Sequence, residues 1–142
     1  MIEEITINIL DLTKPVIIQD AVIKTVDLRF TTFHHEVCVR NSIIETLLLH
    51  SAFFEGGFTI ENCIVKNHIQ YEMGGHNKKP VRIINSIFES LFVFFDCVFV
   101  SDIVIKNNIF LEGSTLFNGT NSFEISPNTE NNVGALNIMQ CE

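Results

Sequence analysis

The chain has 142 residues, of which 46% are hydrophobic and 18% are charged, and its formal net charge is −8. This length predicts one domain, and this apolar content excludes a disordered chain. The negative charge argues against direct binding to nucleic acid, whose phosphates would repel the protein, and favours a protein partner with a basic surface.

No apolar run reaches the ~18 residues of a membrane span. The N-terminus, residues 1–4, is acidic through its two glutamates and lacks the basic-then-apolar order of a signal peptide. The four cysteines, Cys38, Cys63, Cys97 and Cys141, form no CxxC pair, which predicts neither a zinc site nor a disulfide framework. We therefore expect a cytoplasmic protein with free thiols, no metal, no cofactor and no contact with a membrane.

In chain order, the predicted elements form two interleaved series of one eight-residue unit. The first series occupies residues 16–23, 37–44, 58–65, 81–88 and 103–110, with starts 21, 21, 23 and 22 residues apart. The second, looser series occupies residues 5–12, 26–33, 47–54, 69–76 and 92–99, with a fading copy from Ser114. Its fourth copy is the poorest match, because His76 replaces the closing apolar residue.

Within each unit, positions 1 and 3 are large and apolar, position 6 is usually small and position 8 is usually large. A spacing of two predicts a strand, whereas the step of three between positions 3 and 6 requires a bend. We therefore predict an all-β fold, a right-handed parallel β-helix of about five coils of ~22 residues. It would span residues 1–119, and residues 120–142, which break the repeat, would form a C-terminal cap or a strap along the rod.

Position 5 of the first series is Asn or Asp in every copy. These residues are Asp20, Asn41, Asn62, Asn85 and Asn107. Asn and Asp tolerate the left-handed conformation that a bend requires, and stacked amides form hydrogen-bonded ladders. We predict such a ladder along the axis; the alternative is that each residue serves its own turn independently.

The unit resembles two families of solenoid. The order aliphatic-x-aliphatic-x-Asn-small-x-Phe resembles the coils of pectate-lyase-like right-handed β-helices, and the five-residue steps from 1 to 6 and from 3 to 8 resemble degenerate pentapeptide-repeat proteins. The resemblance covers about residues 5–119, and the units exceed strict pentapeptides by one or two residues per eleven. Some pentapeptide-repeat proteins act as duplex mimics against topoisomerases, so this resemblance implies a non-catalytic inhibitor.

Position 7 should point outward, yet it is aliphatic in every copy of the first series: Val22, Ile43, Ile64, Ile87 and Ile109. Phe53 and Val98 hold the same place in the second series, and Phe95 at position 4 is a further exposed apolar candidate. An exposed apolar patch marks an interface, which predicts a homodimer or a partner surface here. The alternative is that the C-terminal tail covers the patch.

Residues 73–80 are the longest departure from the repeat, and they contain His76, Lys78 and Lys79 between two glycines and a proline. This pattern predicts a loop, either a contact loop for an anion or a partner, or a solvated insertion. The adjacent His34 and His35 do not predict a metal site, because neighbouring residues of a strand point to opposite faces.

The sequence contains no GxSxG, P-loop or GxGxxG motif, and its acidic residues form no convincing catalytic pair. We therefore expect no enzyme but a binding protein, a rigid acidic solenoid that docks on a protein partner as an inhibitor, nucleic-acid mimic or immunity protein. The alternatives are a self-assembling structural module and, with less support, a small carbohydrate-active β-helix.

Overall fold

The computed structural model describes residues 1–139, so that Gln140, Cys141 and Glu142, with the end of the predicted tail, lie outside the described residues. It contains one short 3₁₀ helix, Ile7–Ile9, and otherwise strands and turns. The strands are β1 (Ile2–Thr6), β2 (Val16–Gln19), β3 (Val22–Asp27), β4 (Thr32–Phe33), β5 (Val37–Arg40), β6 (Ile43–Leu48), β7 (Phe53–Phe54), β8 (Phe58–Glu61), β9 (Ile64–Val65), β10 (Ile69–Glu72), β11 (Val81–Ile84), β12 (Ile87–Phe88), β13 (Phe92–Phe95), β14 (Val98–Phe99), β15 (Ile103–Lys106), β16 (Ile109–Phe110), β17 (Ser122–Phe123) and β18 (Asn128–Glu130).

All strand pairs are parallel and join residues one coil apart, so the chain forms a parallel β-solenoid. One six-stranded sheet has the order β1-β3-β6-β9-β12-β16, and the other has the order β18-β15-β11-β8-β5-β2. Two-stranded sheets β4-β7, β10-β13 and β14-β17 line the rest of the coil. Val37 pairs with Val16 on one side and with Phe58 on the other, which is the register of the repeat. The prediction of an all-β solenoid with coils of about 22 residues is confirmed.

The solenoid has about six turns, one more than predicted. Val104 pairs with Asn128, and Ile109 forms a bridge with Val133, so residues 122–134 continue the stack as a sixth coil. The sequence pattern fades there because Pro127 and Thr129 occupy positions 1 and 3, where the earlier copies have aliphatic side chains. Residues 135–138 then lie over residues 114–117 of the fifth coil, where the Ser114 N–H donates to the Ala135 carbonyl.

The core is one continuous column of apolar side chains. Position 8 contributes two stacks of rings, in which Phe33 lies 5.3 Å from Phe54 and Phe88 lies 5.0 Å from Phe110. These centroid distances approach the spacing between neighbouring strands, ~4.8 Å. Each ring therefore packs on its counterpart in the next coil and stabilises the stack.

The weakest copy of the repeat, at residues 69–76, is completed by Tyr71. Its ring occupies the space beside Gly74, where any added Cβ would lie 1.9 Å from Tyr71 Cε1. The Tyr71 hydroxyl donates to the Ala52 carbonyl at 3.2 Å and accepts from the Gly75 N–H at 2.8 Å. The exposed His76 is thus replaced inside the coil by the ring of Tyr71, five residues earlier in the chain.

Position 5 is left-handed in every copy of the first series and in the second series from Phe30 to Asp96, with φ between 49° and 59°. The residues are Asp20, Phe30, Asn41, Ser51, Asn62, Met73, Asn85, Asp96 and Asn107, and Asn131 repeats the feature in the sixth coil. The bend predicted between positions 3 and 6 is therefore made by one left-handed residue. The first series supplies Asn or Asp, whereas Phe30 and Met73 adopt the same conformation without the local polar side chain that favours it.

Candidate functional site

The predicted interface and ladder residues meet at one corner of the coil, between the two six-stranded sheets. Positions 4 and 5 both point outward there, between inward positions 3 and 6, which makes the corner convex. Two rows of side chains run along it. The amide row is Asp20, Asn41, Asn62, Asn85, Asn107 and Asn131, and the aliphatic row is Val22, Ile43, Ile64, Ile87, Ile109 and Val133.

Hydrogen bonds join the first three members of the amide row. The Asn62 Nδ2 donates to Asn41 Oδ1 at 2.9 Å, and the Asn41 Nδ2 donates to Asp20 Oδ1 at 3.3 Å. Asn85 and Asn107 hold the same backbone positions in the next coils. The amide row is therefore both the bend of each coil and a polar edge along the rod.

Beneath the two rows, position 6 forms a second, buried ladder. The Ser86 Oγ accepts from the Cys63 N–H at 3.1 Å, and the Asn108 Oδ1 accepts from the Ser86 N–H at 3.0 Å. The Asn132 Oδ1 accepts from the Asn108 N–H, and the Ser42 Oγ from the Ala21 N–H. We call this set the inner ladder. It satisfies backbone groups that the left-handed bend turns away from the strand pairing.

Cys63 extends the inner ladder with a thiol. Its Sγ–H lies within donating distance of two carbonyls, that of Glu61 at 3.4 Å and that of Val39 at 3.5 Å. Burial raises the pKa of the Cys63 thiol to about 11, although its backbone hydrogen bonds act in the opposite direction. Burial likewise raises the pKa of Cys97, which sits at position 6 of the second series, to about 12. Both thiols stay protonated and serve as small structural donors.

The aliphatic row is open to solvent. Val22 and Val133 at its two ends are 47% and 63% exposed, and Ile109 is 36% exposed, whereas Ile43, Ile64 and Ile87 are half-buried. Within residues 1–139 the C-terminal segment lengthens the row through Val133 instead of lying across it. Five steps of ~4.8 Å give the row a length of about 24 Å.

A shallow groove of about 540 Å³ lies between the two rows. Asp20, Asn41, Asn62 and Asn85 form one wall, Val22, Ile43, Ile64 and Ile87 form the other, and Ala21, Ser42 and Cys63 line the floor. Asp20 is the charged residue of this lining. The surface therefore offers amide hydrogen-bonding groups beside apolar contact area, in the same arrangement on successive coils.

The other predicted interface residues do not join this groove. Phe53 and Val98 are aligned in the stack, but Gly75 lies between them and contributes no side chain. The ring of His76 packs on Phe53 at a centroid distance of 4.4 Å. Phe95 is 39% exposed on β13, at the far corner of the coil.

The predicted contact loop is anchored by a residue that the sequence did not single out. Asn77 is fully buried, its Nδ2 donates to the Lys79 carbonyl at 3.0 Å, and its Oδ1 accepts from the Val100 N–H at 3.1 Å. Lys78 and Lys79, which follow this anchor, are exposed. The structure thus gives the loop a fixed base and two basic side chains in solvent.

Sequence reasoning missed the inner ladder and the sixth member of each row. One signal was present for the latter, since Asn131 and Asn132 repeat the adjacent pair of Asn107 and Asn108. The roles of Ser42 and Ser86 left no such signal, because a small residue at position 6 equally suits simple packing.

His34 Nδ1 lies 2.8 Å from Glu55 Oε1, in the next coil. Residues 1–139 contain no group of three His, Cys, Asp or Glu side chains placed to hold a metal ion. They also contain no helix with the length and apolar character needed to cross a membrane.

Comparisons with protein-family models, with curated proteins and with solved structures found no match to this chain. The resemblance to pentapeptide-repeat proteins is therefore not confirmed. We therefore infer a function from the solenoid itself, from its amide and aliphatic rows, and from the groove between them.

Proposed function

We propose that this chain is a non-catalytic binding protein that docks a protein partner on the groove between the amide and aliphatic rows. The observation that carries the proposal is the aliphatic row, which continues over six coils and is left open by the C-terminal segment as far as residue 139. Contiguous exposed apolar surface of this kind is typical of a protein–protein interface.

Rigidity supports the same interpretation. The inner ladder ties the backbone beneath the groove from coil to coil, and no buried polar side-chain atom of the described residues lacks a partner. A surface fixed before binding loses little conformational entropy on association. The groove is thus preorganised for a partner with a complementary face.

The net charge of −8 favours a partner with a basic surface. Long-range attraction of this type raises the rate of encounter, and salt weakens it. The groove itself contributes one carboxylate, Asp20, so the contact would combine apolar packing and amide hydrogen bonds with peripheral charge. The described cysteines are free thiols, which supports a reducing compartment, and we place the protein in the cytoplasm.

The test is capture of a partner from lysate by the wild type and by Ile64→Asp, which puts a charge in the middle of the aliphatic row. The control is Thr59→Asp, an outward position of the same coil on β8, away from the groove. We expect one bound protein to be lost with Ile64→Asp and retained with Thr59→Asp. Its binding should weaken from low to high salt. A partner retained equally by both variants would contradict docking on the groove.

A self-assembling module is the second candidate. An arrangement of charged side chains beside the groove favours this candidate.

A further inference from the structure

Two rows of outward side chains flank the groove, at position 4 on one side and two residues beyond the aliphatic row on the other. In the second coil these positions are Arg40 and Glu45, and in the third coil they are Glu61 and Lys66. Arg40 pairs in register with Glu61, and Glu45 is followed in the stack by Lys66. The four residues, here called the charge quartet, alternate in sign both along the rod and across it.

Within residues 1–139 the charge quartet makes no ion pair. The ion pairs of the described residues all involve other side chains. Arg40 makes one side-chain hydrogen bond to a neutral group, in which its Nε donates to Gln19 Oε1 at 2.9 Å. Arg40, Glu45 and Glu61 are half-buried and Lys66 is exposed. Four charges of alternating sign thus stand beside an open apolar row with no ionic partner.

We propose that the groove binds a second copy of this chain, with the two rods parallel and related by a two-fold axis along the solenoid. This inference rests on the proposed function and names the partner of the same groove. Such an axis keeps equal coils at one level and reverses the order of the rows. The aliphatic row of each copy then lies in the groove of the other.

The same symmetry pairs the charges. Arg40 faces Glu45 of the second copy, Glu61 faces Lys66 of the second copy, and the two-fold axis repeats both pairs. In the other coils the facing positions are Gln19 with Lys24, Ile84 with Glu89, Lys106 with Leu111, and Glu130 with Ala135, none of which joins like charges. Ile84 is only 9% exposed and adds little to the contact. An antiparallel arrangement of the full rods would instead place Arg40 against Lys106.

Spacing along the rod also favours a second copy. Both copies repeat every ~4.8 Å, so side chains that interlock in one coil interlock in all. An α-helix laid along the groove repeats every ~5.4 Å and would fall about 3 Å out of step over five coils. A surface with the same period matches the whole row.

The contact is about 24 Å long and lies on a convex corner, which is small for a permanent interface, so we expect a reversible dimer. Sedimentation velocity over a concentration series up to about 1 mM should show a monomer–dimer equilibrium. Arg40→Glu and Glu45→Arg each lose two ion pairs and gain two repulsions, and should raise the dissociation constant about ten- to thirtyfold. The double variant R40E/E45R should recover dimerisation, and Arg82→Glu, outward on β11 away from the groove, should leave it unchanged.

A wild type that stays monomeric over this range would overturn the proposal. So would a double variant that is folded by circular dichroism but no more dimeric than R40E.

The orientation has a separate test. With Ile43→Cys, a parallel dimer places the two new thiols at the same level beside the axis, where a disulfide can form. In an antiparallel dimer the second coil faces the fifth, which separates the thiols by about 14 Å along the rod. With Cys141 replaced by serine in both proteins, we expect an oxidised dimer with Ile43→Cys and none without it, because the remaining cysteines, Cys38, Cys63 and Cys97, are buried. A dimeric Ile43→Cys protein that does not cross-link would overturn the parallel arrangement.

These outcomes separate the inference from the function on which it rests. A monomeric wild type that binds another protein, and loses it with Ile64→Asp, would overturn self-pairing and leave the groove as a docking site. A dimer broken by Ile64→Asp, with no other partner affected, supports self-pairing.

Discussion

Replacing Ser86 with alanine should show what the inner ladder contributes to stability. Ser86 is 1% exposed, accepts from the Cys63 N–H at 3.1 Å and donates to the Ile84 carbonyl at 3.0 Å. The Ile84 carbonyl also accepts from the Asn62 N–H, so it keeps a partner in the variant. The Cys63 N–H has no substitute and lies where water does not reach. One buried donor left unsatisfied costs about 1–3 kcal/mol.

The matched comparison is Ser42→Ala. Ser42 accepts from the Ala21 N–H at a longer distance, 3.3 Å, and Ala21 lies half-exposed in the first coil. Water can therefore replace the lost acceptor, and we expect a loss below about 1 kcal/mol. The half-buried Ser101, which makes no side-chain hydrogen bond among the described residues, supplies a neutral control as Ser101→Ala.

The assay is urea unfolding followed by circular dichroism, from which the free energy of unfolding is obtained by linear extrapolation. Ser86→Cys should recover part of the loss, because Cys63 already fills the equivalent position with a thiol. Equal losses in Ser86→Ala and Ser42→Ala, or a loss in Ser86→Ala no larger than that of the control, would refute the role assigned to the inner ladder.

Three further predictions concern the core, the bends and the thiols. Phe99→Ala should lower the free energy of unfolding by about 3–5 kcal/mol, since the ring is fully buried and stacks on Phe123 at 5.6 Å; a loss below 1 kcal/mol in urea unfolding would contradict this packing. Met73→Asn should raise the free energy of unfolding by about 0.5–1 kcal/mol, because Met73 has φ 49° and Asn adopts that conformation more readily; no gain would show that the bend carries no strain. Burial raises the pKa of Cys63 to about 11 and of Cys97 to about 12 from 9.0, so the unfolded chain loses these protons first as the pH rises above 9. Stability should therefore fall between pH 9 and 11, with both thiols unreactive to iodoacetamide at pH 8 until urea unfolds the protein; rapid native labelling at pH 8 would count against their burial.

Much of the fold followed from the spacing of apolar residues. The step of three between Val39 and Ser42 required a bend, and Asn41 between them suited the left-handed conformation that the structure has there. The repeat positions also predicted the correct register of the strands, because each coil buries the same positions of the unit against its neighbours. The sixth coil escaped this reasoning, since its register is kept by backbone pairing while Thr129 carries no apolar signal.

The candidate site was predictable only in part. The outward aliphatic residues and the Asn positions were read as two features, and their convergence on one groove depends on the geometry of the corner. Phe53 was grouped with the aliphatic residues by its position, yet His76 packs on its ring. A repeat pattern gives the direction of each side chain, whereas contacts from an irregular loop follow from its three-dimensional path.

The hydrogen bonds of the inner ladder all have the same direction along the chain. The backbone N–H at position 6 of these coils is satisfied by a side chain one coil later in the chain: Cys63 by Ser86, Ser86 by Asn108 and Asn108 by Asn132. During synthesis, the inner ladder of one coil is therefore completed only after the next coil has been made. The most recently made coil of the growing chain always lacks the acceptor for its position-6 N–H. Truncation from the two ends should therefore affect the inner ladder differently. Loss of the last coil leaves the buried Asn108 N–H without an acceptor, whereas loss of the first coil leaves only one unused lone pair on Ser42 Oγ.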